Sequence, residues 1–510
     1  MLANTALMKR IAGSFMFAAV LTLPACVTLG PDYQEPDVAW LNDWHSDLYG
    51  QIGQPEEQTQ TDLRFWTQQF NEPVLNGLVE TARRENPTLR IAGLRILESR
   101  ALLGIAGSNR YPQLNQASGS AAHVEQHEGG GQDLSFESYQ ASFDMGWELD
   151  FWGRFRRGIE SANAAYFASI TSQHDVQVLL SAQVANLYFG YRTTLLRIDI
   201  AERNAAIQKR SLEITEKIFK AGQDSELDVQ QAKTQYLATL STIPDLQATL
   251  VRQRNALAAL LGRKPGEVPE LASVKGPLPS VEPLVVQGIP AELLLRRPDI
   301  RTAAWQVAAQ SAQIGVAKAD YFPAISLLGS IGWSANSLAN SPDTSSLLVG
   351  PALSWNLFDF GRIRGNVRLQ DARLQQSIEL FQDNVLQAAR EIDDSAIGVV
   401  KTAEQQQFLD GAFDAAKRSL DLADTLYQEG YADFQRVLDA QRALFVQEEQ
   451  QLLNHSAHIS AIVALYTSIG GGWTDMTLEQ MIPESMRETM QDRTNWGDLL
   501  TEPVPTEAHP

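Results

Sequence analysis

The chain is written twice, and that duplication limits what it can fold into more than any other feature. Pro87 recurs as Pro298 and Pro112 as Pro323, each 211 residues on (298 − 87; 323 − 112). Further along, Trp147 recurs as Trp355, Gly153 as Gly361, Gly222 as Gly430 and Gly262 as Gly470, all 208 residues on (361 − 153). Only a loop in the middle of the unit changes length, by three residues, so both halves carry the same elements in the same order.

The punctuation gives that order. Asn86-Pro87 reads as a helix start, because Asn can cap and Pro suits the first turn. Pro112 and the Gln, Asn, Ser and Gly after it end the helix and open a strand at about 113–125. A polar loop with Gly129, Gly130 and Gly131 leads to a second strand at about 138–151; the second half repeats the pair at about 324–335 and 346–358. In the second strand Tyr139, Ala141, Phe143, Met145, Trp147, Leu149 and Phe151 hold the odd positions, and Gln140, Ser142, Asp144, Gly146, Glu148 and Asp150 the even ones. Successive strand side chains point to opposite faces, so this strand has one oily face and one wet face. Leu347, Val349, Leu353, Trp355 and Leu357 repeat the pattern, with Ser354 and Asn356 between them. Each copy then passes through Trp152-Gly153-Arg154 or Phe360-Gly361-Arg362 into helical sequence. From Arg154 to Ala221 there is no proline, and a continuous helix of that length would be on the order of 100 Å long. Gly222 and Gly430 reverse the chain, since glycine permits the positive φ of a tight helical turn, and a returning helix follows each. Pro244 is expected to kink or jog the first of these.

Flanking sequence sets the domain boundaries. Lys9 and Arg10 precede an apolar run, Ile11 to Leu23, too short to span a bilayer but suited to a signal-peptide core. It ends in Leu23-Pro24-Ala25-Cys26, which resembles a bacterial lipobox with Cys26, the sole cysteine, as the lipidated first residue of the mature protein. Val27 follows, with no Asp of an inner-membrane retention signal, so the outer membrane is the expected destination. The plain alternative is cleavage after Ala25 with Cys26 left as a free thiol. The expected domains are a signal peptide (1–25), a lipidated extended tether (26–62), a first repeat (63–262), a connector (263–297), a second repeat (298–470) and a C-terminal segment with a flexible tail (471–510). The net charge of −20, without a dense Lys/Arg run, argues against nucleic acid as a partner. There is no phosphate loop, nucleophile elbow or dinucleotide fingerprint, so no enzyme and no cofactor is expected. His123 and His127 flank a strand loop and His455 and His458 lie three apart on a helix; a metal site would need more ligands close by, so none is assigned.

Four such strands cannot close a barrel in lipid, where an open edge leaves backbone groups unpaired at several kcal/mol each. Partners must supply the rest, and even-numbered barrels allow a dimer or a trimer. The runs Ile289-Pro290-Ala291-Glu292-Leu293-Leu294-Leu295-Arg296-Arg297-Pro298-Asp299-Ile300-Arg301, Gln313-Ile314-Gly315-Val316-Ala317-Lys318, Tyr321-Phe322-Pro323 and Trp355-Asn356-Leu357-Phe358-Asp359-Phe360-Gly361-Arg362 resemble the TolC-like outer-membrane factors. More narrowly, they are similar to the lipoprotein branch that works with resistance-nodulation-division efflux pumps. The resemblance implies a mainly α fold with a membrane β part: a homotrimer whose twelve-stranded β-barrel continues as a periplasmic α-helical barrel, ringed by an equatorial domain. Pro112, Gly153, Pro323 and Gly361 then mark the strand–helix transitions, and the turns at Gly222 and Gly430 dock a periplasmic adaptor held by an inner-membrane pump. The subunit catalyses nothing, and substrate leaves passively through the shared duct.

The resemblance also places a gate at the tips. Asp228, Tyr427 and Asp439 fall on positions where the family uses aspartate rings and tyrosine–aspartate contacts. Arg436 stands where a second aspartate ring would be and Ala432 where an arginine would tie the gate, so closure must be built differently. Without the resemblance, Asp228 and Asp439 read as solvated helix residues and Tyr427 as packing. Two other functions remain open on sequence: a type I protein-secretion conduit, and a lipid-anchored spacer without a pore.

Overall fold

The computed structural model describes residues 27–44, 49, 52–53, 63–127, 129, 134–222, 225–281, 286–287, 294–337 and 343–505. The signal-peptide and Cys26 calls lie outside the described residues, as do parts of the tether, the connector and both strand loops.

The element order is α1 (Pro73–Glu85), α2 (Pro87–Ser108), β1 (Leu114–Gln126), β2 (Leu134–Glu148), α3 (Arg154–Lys220), α4 (Glu226–Leu260), α5 (Pro298–Ala319), β3 (Ala324–Ala335), β4 (Thr344–Ser354), α6 (Arg362–Gln428), α7 (Phe434–Ser468), α8 (Leu478–Met481) and α9 (Glu484–Arg493). The duplication is kept to the residue. α2 and α5 are both 22 residues long, α3 and α6 both 67, and α4 and α7 both 35.

Local chemistry sets the ends. The Asn86 side chain accepts from Leu89 N at 2.9 Å, and its amide donates to Leu260 O at 2.8 Å, fastening the start of α2 to the end of α4. Arg297 repeats that fastening one half later, donating to Ser468 O at the end of α7 (2.7 Å). Both long helices start from a left-handed glycine, Gly153 (φ 74°) or Gly361 (φ 89°), and reverse at another, Gly222 (φ 74°) or Gly430 (φ 79°). Pro244 lies inside α4, which runs through it unbroken.

Two strands end earlier than the alternation suggests. β2 begins at Leu134 and stops at Glu148, short of 151; β4 spans Thr344–Ser354 and stops short of 358. The reason is capping: Asp150 accepts from Phe155 N and Arg156 N (3.1 and 3.0 Å), and Asp359 from Gly361 N and Ile363 N (3.2 and 2.6 Å). A carboxylate recruited to a helix N-terminus has left the ladder.

The four strands form one antiparallel sheet, β1-β2-β3-β4, with β1 and β4 as its edges. The helices form a wall below it. Near the sheet the neighbours run α2, α3, α5, α6; towards the hairpin turns they run α4, α3, α7, α6. The main core lies between these helices and α1, around Trp66, Phe70, Tyr188, Phe189, Phe381 and Tyr466.

The N-terminal flank departs from expectation. Residues 27–44, read as an extended tether, run along the wall and are fastened to it. Arg157 donates to Leu29 O (3.0 Å) and pairs with Asp32 (2.6 Å), while Val38 and Leu41 are buried in the main core. The C-terminal segment packs on α2 and α3, where Leu478, Met481, Ile482, Met490 and Leu500 share a second core with Ile96, Leu97, Tyr166 and Ile170, and the tip read as flexible lies outside the described residues beyond 505. Apolar side chains spaced through both polar segments make this docking favourable.

Candidate functional site

The first functional feature is the sheet. Every strand pair matches odd residues with odd and even with even, as in Ala117–Phe143, Phe143–Ile331 and Ile331–Leu347. The oily faces of β2, β3 and β4 therefore coincide, and β1 continues that side with the small residues Ala117, Gly119 and Ala121 before turning polar at His123 and Glu125. Ile331, Leu347, Val349 and Leu353 all stand exposed on that side. The other face carries a hydroxyl–carboxylate chain: Ser118 to Ser142 (2.7 Å), Ser142 to Asp144 (2.9 Å) and Ser330 to Asp144 (2.7 Å). Such a ribbon is built to stand between lipid and water, with hydrogen-bonding capacity left over at both edge strands.

The second feature is the junction of sheet and wall. Trp152 stacks on Phe322 (4.6 Å between centroids) and donates to Pro323 O (2.8 Å), locking the start of α3 against the end of α5. Trp355 donates to Tyr321 O (3.0 Å). Pro112, Gly153, Pro323 and Gly361 all lie between the strands and their neighbouring helices. Leu29 N donates to Trp152 O (3.2 Å), so the segment around Leu29 also lies at this level.

Midway along the wall, His174 and Asp175 sit side by side on α3 and face different neighbours. His174 is buried, stacks on Trp473 (4.1 Å, 18°) and lies 3.5 Å from Asp475. Burial lowers its pKa to about 4, with Asp475 opposing and Arg301 assisting. Gln177 and Thr474 exchange hydrogen bonds (3.0 and 3.2 Å) one turn further on, so α3 holds the C-terminal segment by side-chain contacts. Asp175 lines a cavity of about 650 Å³ with Arg297, Asp299, Glu391 and Asp394. Burial, with Asp299 and Glu391 close, raises its carboxyl to about 6 against the pull of Arg297. Arg297 is buried and bonds both Asp299 oxygens (3.1 and 2.8 Å) and Glu391 (2.9 Å), tying α5, α6 and α7 together. Sequence reasoning quoted Arg297 without a role and passed over Arg157, His174 and Asp175; adjacent polar residues on a helix carry no signal of what will pack on them.

The third feature is the pair of hairpin tips. Ser225 caps α4, accepting from Asp228 N (3.2 Å) while its hydroxyl donates to the Asp228 carboxylate. Its counterpart Asp433 caps α7 and lies 3.9 Å from Arg436, which occupies the position matching Asp228 (436 − 228 = 208). Asp439 is exposed and accepts from Gln435 (3.0 Å) and Arg442 (3.4 Å). Tyr427 packs on Phe434 (5.2 Å) beside a small tip core of Ala232, Phe434, Val437 and Leu438. Thus Asp228 bonds to the residue that caps α4, Tyr427 packs on Phe434, and Asp439 presents its carboxylate to solvent.

Comparison with known proteins agrees with this architecture. The family profile described as "Outer membrane efflux protein" matches residues 78–263 and 289–471, one block for each half. The solvent efflux pump outer membrane protein SrpC of Pseudomonas putida is 32% identical over 467 residues, covering 89% of this chain and 97% of that protein. The cation efflux system protein CusC of Escherichia coli K12 is 30% identical over 463 residues, covering 89% and 98%. Among solved structures, the outer-membrane channel OprN superposes with a TM-score of 0.80 at 34% identity, covering 88% of this chain and 99% of that one. The duplicated helical wall and its four-stranded ribbon are those of the TolC-like channels, and the chain belongs to the outer membrane efflux protein family, the non-enzymatic outer-membrane channel component of efflux pumps.

Proposed function

We propose that three copies close into a single duct, a twelve-stranded barrel in the outer membrane continued by a helical barrel through the periplasm, through which small molecules pass passively. The observation that carries this is the shared parity of the four strands. One chain offers a face that is apolar across β2, β3 and β4, an opposite polar face and two unpaired edges, and only neighbouring strands can satisfy those edges in lipid. The wall supports the same reading, because its lateral faces expose Leu380 and Phe408 on α6 and Leu102 and Ile105 on α2. The exposed Trp355, Phe358 and Phe360 at the junction form an aromatic belt at the inner membrane interface. Leu29, three residues after the proposed acylation site, is fastened to Trp152 at the same level.

The turns at Gly222 and Gly430 dock a periplasmic adaptor attached to an inner-membrane pump of the resistance-nodulation-division class. Relatives named for solvent and for cation efflux share this architecture, so cargo is chosen upstream. At the tip, Asp439 is the residue placed to act on passing ions: three copies around one axis form a carboxylate ring that draws cations. Asp228 and Tyr427 act on the gate by fixing the hairpin that carries it. Planar-bilayer recording tests the duct directly. Discrete, uniform openings are expected, and Asp439→Ala is expected to lower cation preference while leaving the assembly intact. No openings at any voltage would replace the duct with an inert spacer.

A further inference from the structure

The head of α3 and the head of α6 carry matching arginines, but only the first set is neutralised by its own chain. Arg154 lies near Glu148 (3.7 Å) and Asp320 (3.6 Å), Arg156 pairs with Asp150 (3.2 Å), and Arg157 with Glu160 (2.8 Å) and Asp32 (2.6 Å). The second half keeps Arg154 as Arg362 and Arg156 as Arg364, 208 residues on (362 − 154), and loses the acids: Asn356 stands for Glu148, Phe358 for Asp150 and Arg368 for Glu160. α2 corresponds to α5 at an offset of 211 (298 − 87), and at its end Asn109 stands for Asp320, followed by Arg110. The carboxylate that remains at the head of α6, Asp359, attracts Arg362, and its oxygens accept from Gly361 N and Ile363 N.

Arg364 and Arg368 are left over. Both are exposed, and among the described residues no carboxylate lies within ion-pair distance of either. Four residues apart on one helix face, they repel each other, where the first half sets Arg156 and Glu160. On α3 this side carries the N-terminal segment. Arg157, shared with Glu160, donates to Leu29 O (3.0 Å) and Gly30 O (3.3 Å), and a Cβ at Gly153 would lie 2.9 Å from Thr28. On α6 a Cβ at Gly361 or Gly365 meets open space. Because the N-terminal segment leads to the proposed acylation site, the corresponding side of α6 faces lipid and not the lumen.

We propose that Arg364 and Arg368 bind the headgroup phosphate of an anionic glycerophospholipid in the periplasm-facing leaflet, with its acyl chains lying along Phe358 and Phe360. This rests on the membrane placement of the sheet proposed above. The levels agree. α6 starts at the sheet and runs away from it, and each helical residue advances about 1.5 Å, so Arg364 and Arg368 lie roughly 3 and 9 Å below Arg362. The headgroup layer is about 5–8 Å thick on each side of a bilayer. Helical side chains lean toward the N-terminus, which here is back toward the membrane. Both guanidinium groups therefore reach phosphate depth, while Phe358 and Phe360, exposed almost completely, meet the acyl chains above them. A guanidinium grips a phosphate through paired, charge-assisted N–H bonds. The phosphate thus supplies on α6 the negative charge that Glu160 and Asp32 supply on α3. The exposed aromatic residues directly above the arginines single out a lipid phosphate over a free one.

Native mass spectrometry of the full-length protein, ejected from phosphatidylcholine bilayers that carry a minor share of phosphatidylglycerol with the same acyl chains, tests the site. The unmodified protein should retain phosphatidylglycerol in excess of its share. Arg364→Gln combined with Arg368→Gln should lose that excess, by roughly fivefold for each arginine removed. Arg418→Gln, exposed far down α6, should leave it unchanged. Arg368→Glu recreates the arginine–glutamate pair of the first half. It should abolish the preference and also raise the melting temperature in a neutral detergent, so the site stays testable even where the double variant fails to fold. Undiminished retention of phosphatidylglycerol by Arg368→Glu overturns the site. Inorganic phosphate at millimolar concentration should leave the lipid in place, and displacement by it would overturn the lipid assignment in favour of a free anion. A protein that enters no bilayer refutes the placement of the sheet, whereas one that inserts without preferring phosphatidylglycerol refutes only the lipid site.

Discussion

At the scale of single residues, the most informative pair is His174 and Asp175, because acid moves them in opposite directions. His174 is neutral where it stacks on Trp473, and burial lowers its pKa from 6.5 to about 4. The folded state therefore binds this proton more weakly than the unfolded state. Its contribution to stability is complete above pH 6.5 and falls progressively as the pH drops to about 4, by roughly 2–3 kcal/mol. His174→Phe keeps a ring against Trp473 without the proton, so it should flatten the fall in melting temperature across that window; an unchanged acid profile would discard the assignment. Asp175 has the reverse linkage. Its folded pKa is raised from 3.8 to about 6, so its ionised form costs stability at neutral pH, and the cost disappears as the pH falls to 3.8. Asp175→Asn should stabilise the protein by roughly 1–3 kcal/mol at pH 8 and by almost nothing below pH 4. A lower melting temperature at pH 8 would mean that the Arg297 attraction outweighs burial.

At the scale of elements, the two long helices begin alike but in different surroundings, and glycine substitution separates the two causes. Gly153 and Gly361 both have positive φ, at 74° and 89°. A Cβ on Gly361 meets open space, whereas one on Gly153 lies 2.9 Å from the Thr28 backbone. Gly361→Ala should cost only the left-handed penalty, about 1–2 kcal/mol. Gly153→Ala should cost more and should also loosen residues 27–32, visible as faster amide exchange there. Equal penalties would show that the N-terminal segment gives way freely. This contrast also explains what the sequence made legible. The helices, the reversals and the strand faces follow from local rules of spacing and from glycine and proline, and the duplication let each half check the other. The docking of the flanks was illegible because it rests on contacts such as Arg157 with Leu29 and Gln177 with Thr474, between residues far apart in a chain whose local polarity reads as solvent-exposed. The early strand ends were missed for a related reason: Asp150 fits the alternation as a wet-face residue but is taken by the helix that follows. At the tips, no local rule distinguishes Asp228, which bonds to the cap Ser225, from Asp439, which is exposed beside Gln435 and Arg442.

At the scale of the whole molecule, the duct depends on which face of the sheet meets lipid, and a single charge can test it from either side. Val349 is exposed on the odd face, and Gln140 is exposed on the even face. An arginine on the lipid face of a barrel costs about 2–4 kcal/mol at the bilayer midplane and close to nothing near the interfaces. The same arginine in a water-filled lumen retains its hydration. Val349→Arg should therefore reduce the fraction of protein recovered in the outer membrane as a stable oligomer. Gln140→Arg should insert normally, and because each copy in the proposed ring adds a positive charge to the lumen, it should shift the reversal potential in a salt gradient away from cation preference. Membrane fractionation and planar-bilayer recording read the two effects independently. If Gln140→Arg fails to insert while Val349→Arg inserts and alters selectivity, the odd face lines the lumen; if both insert with unchanged currents, the strands do not bound a pore.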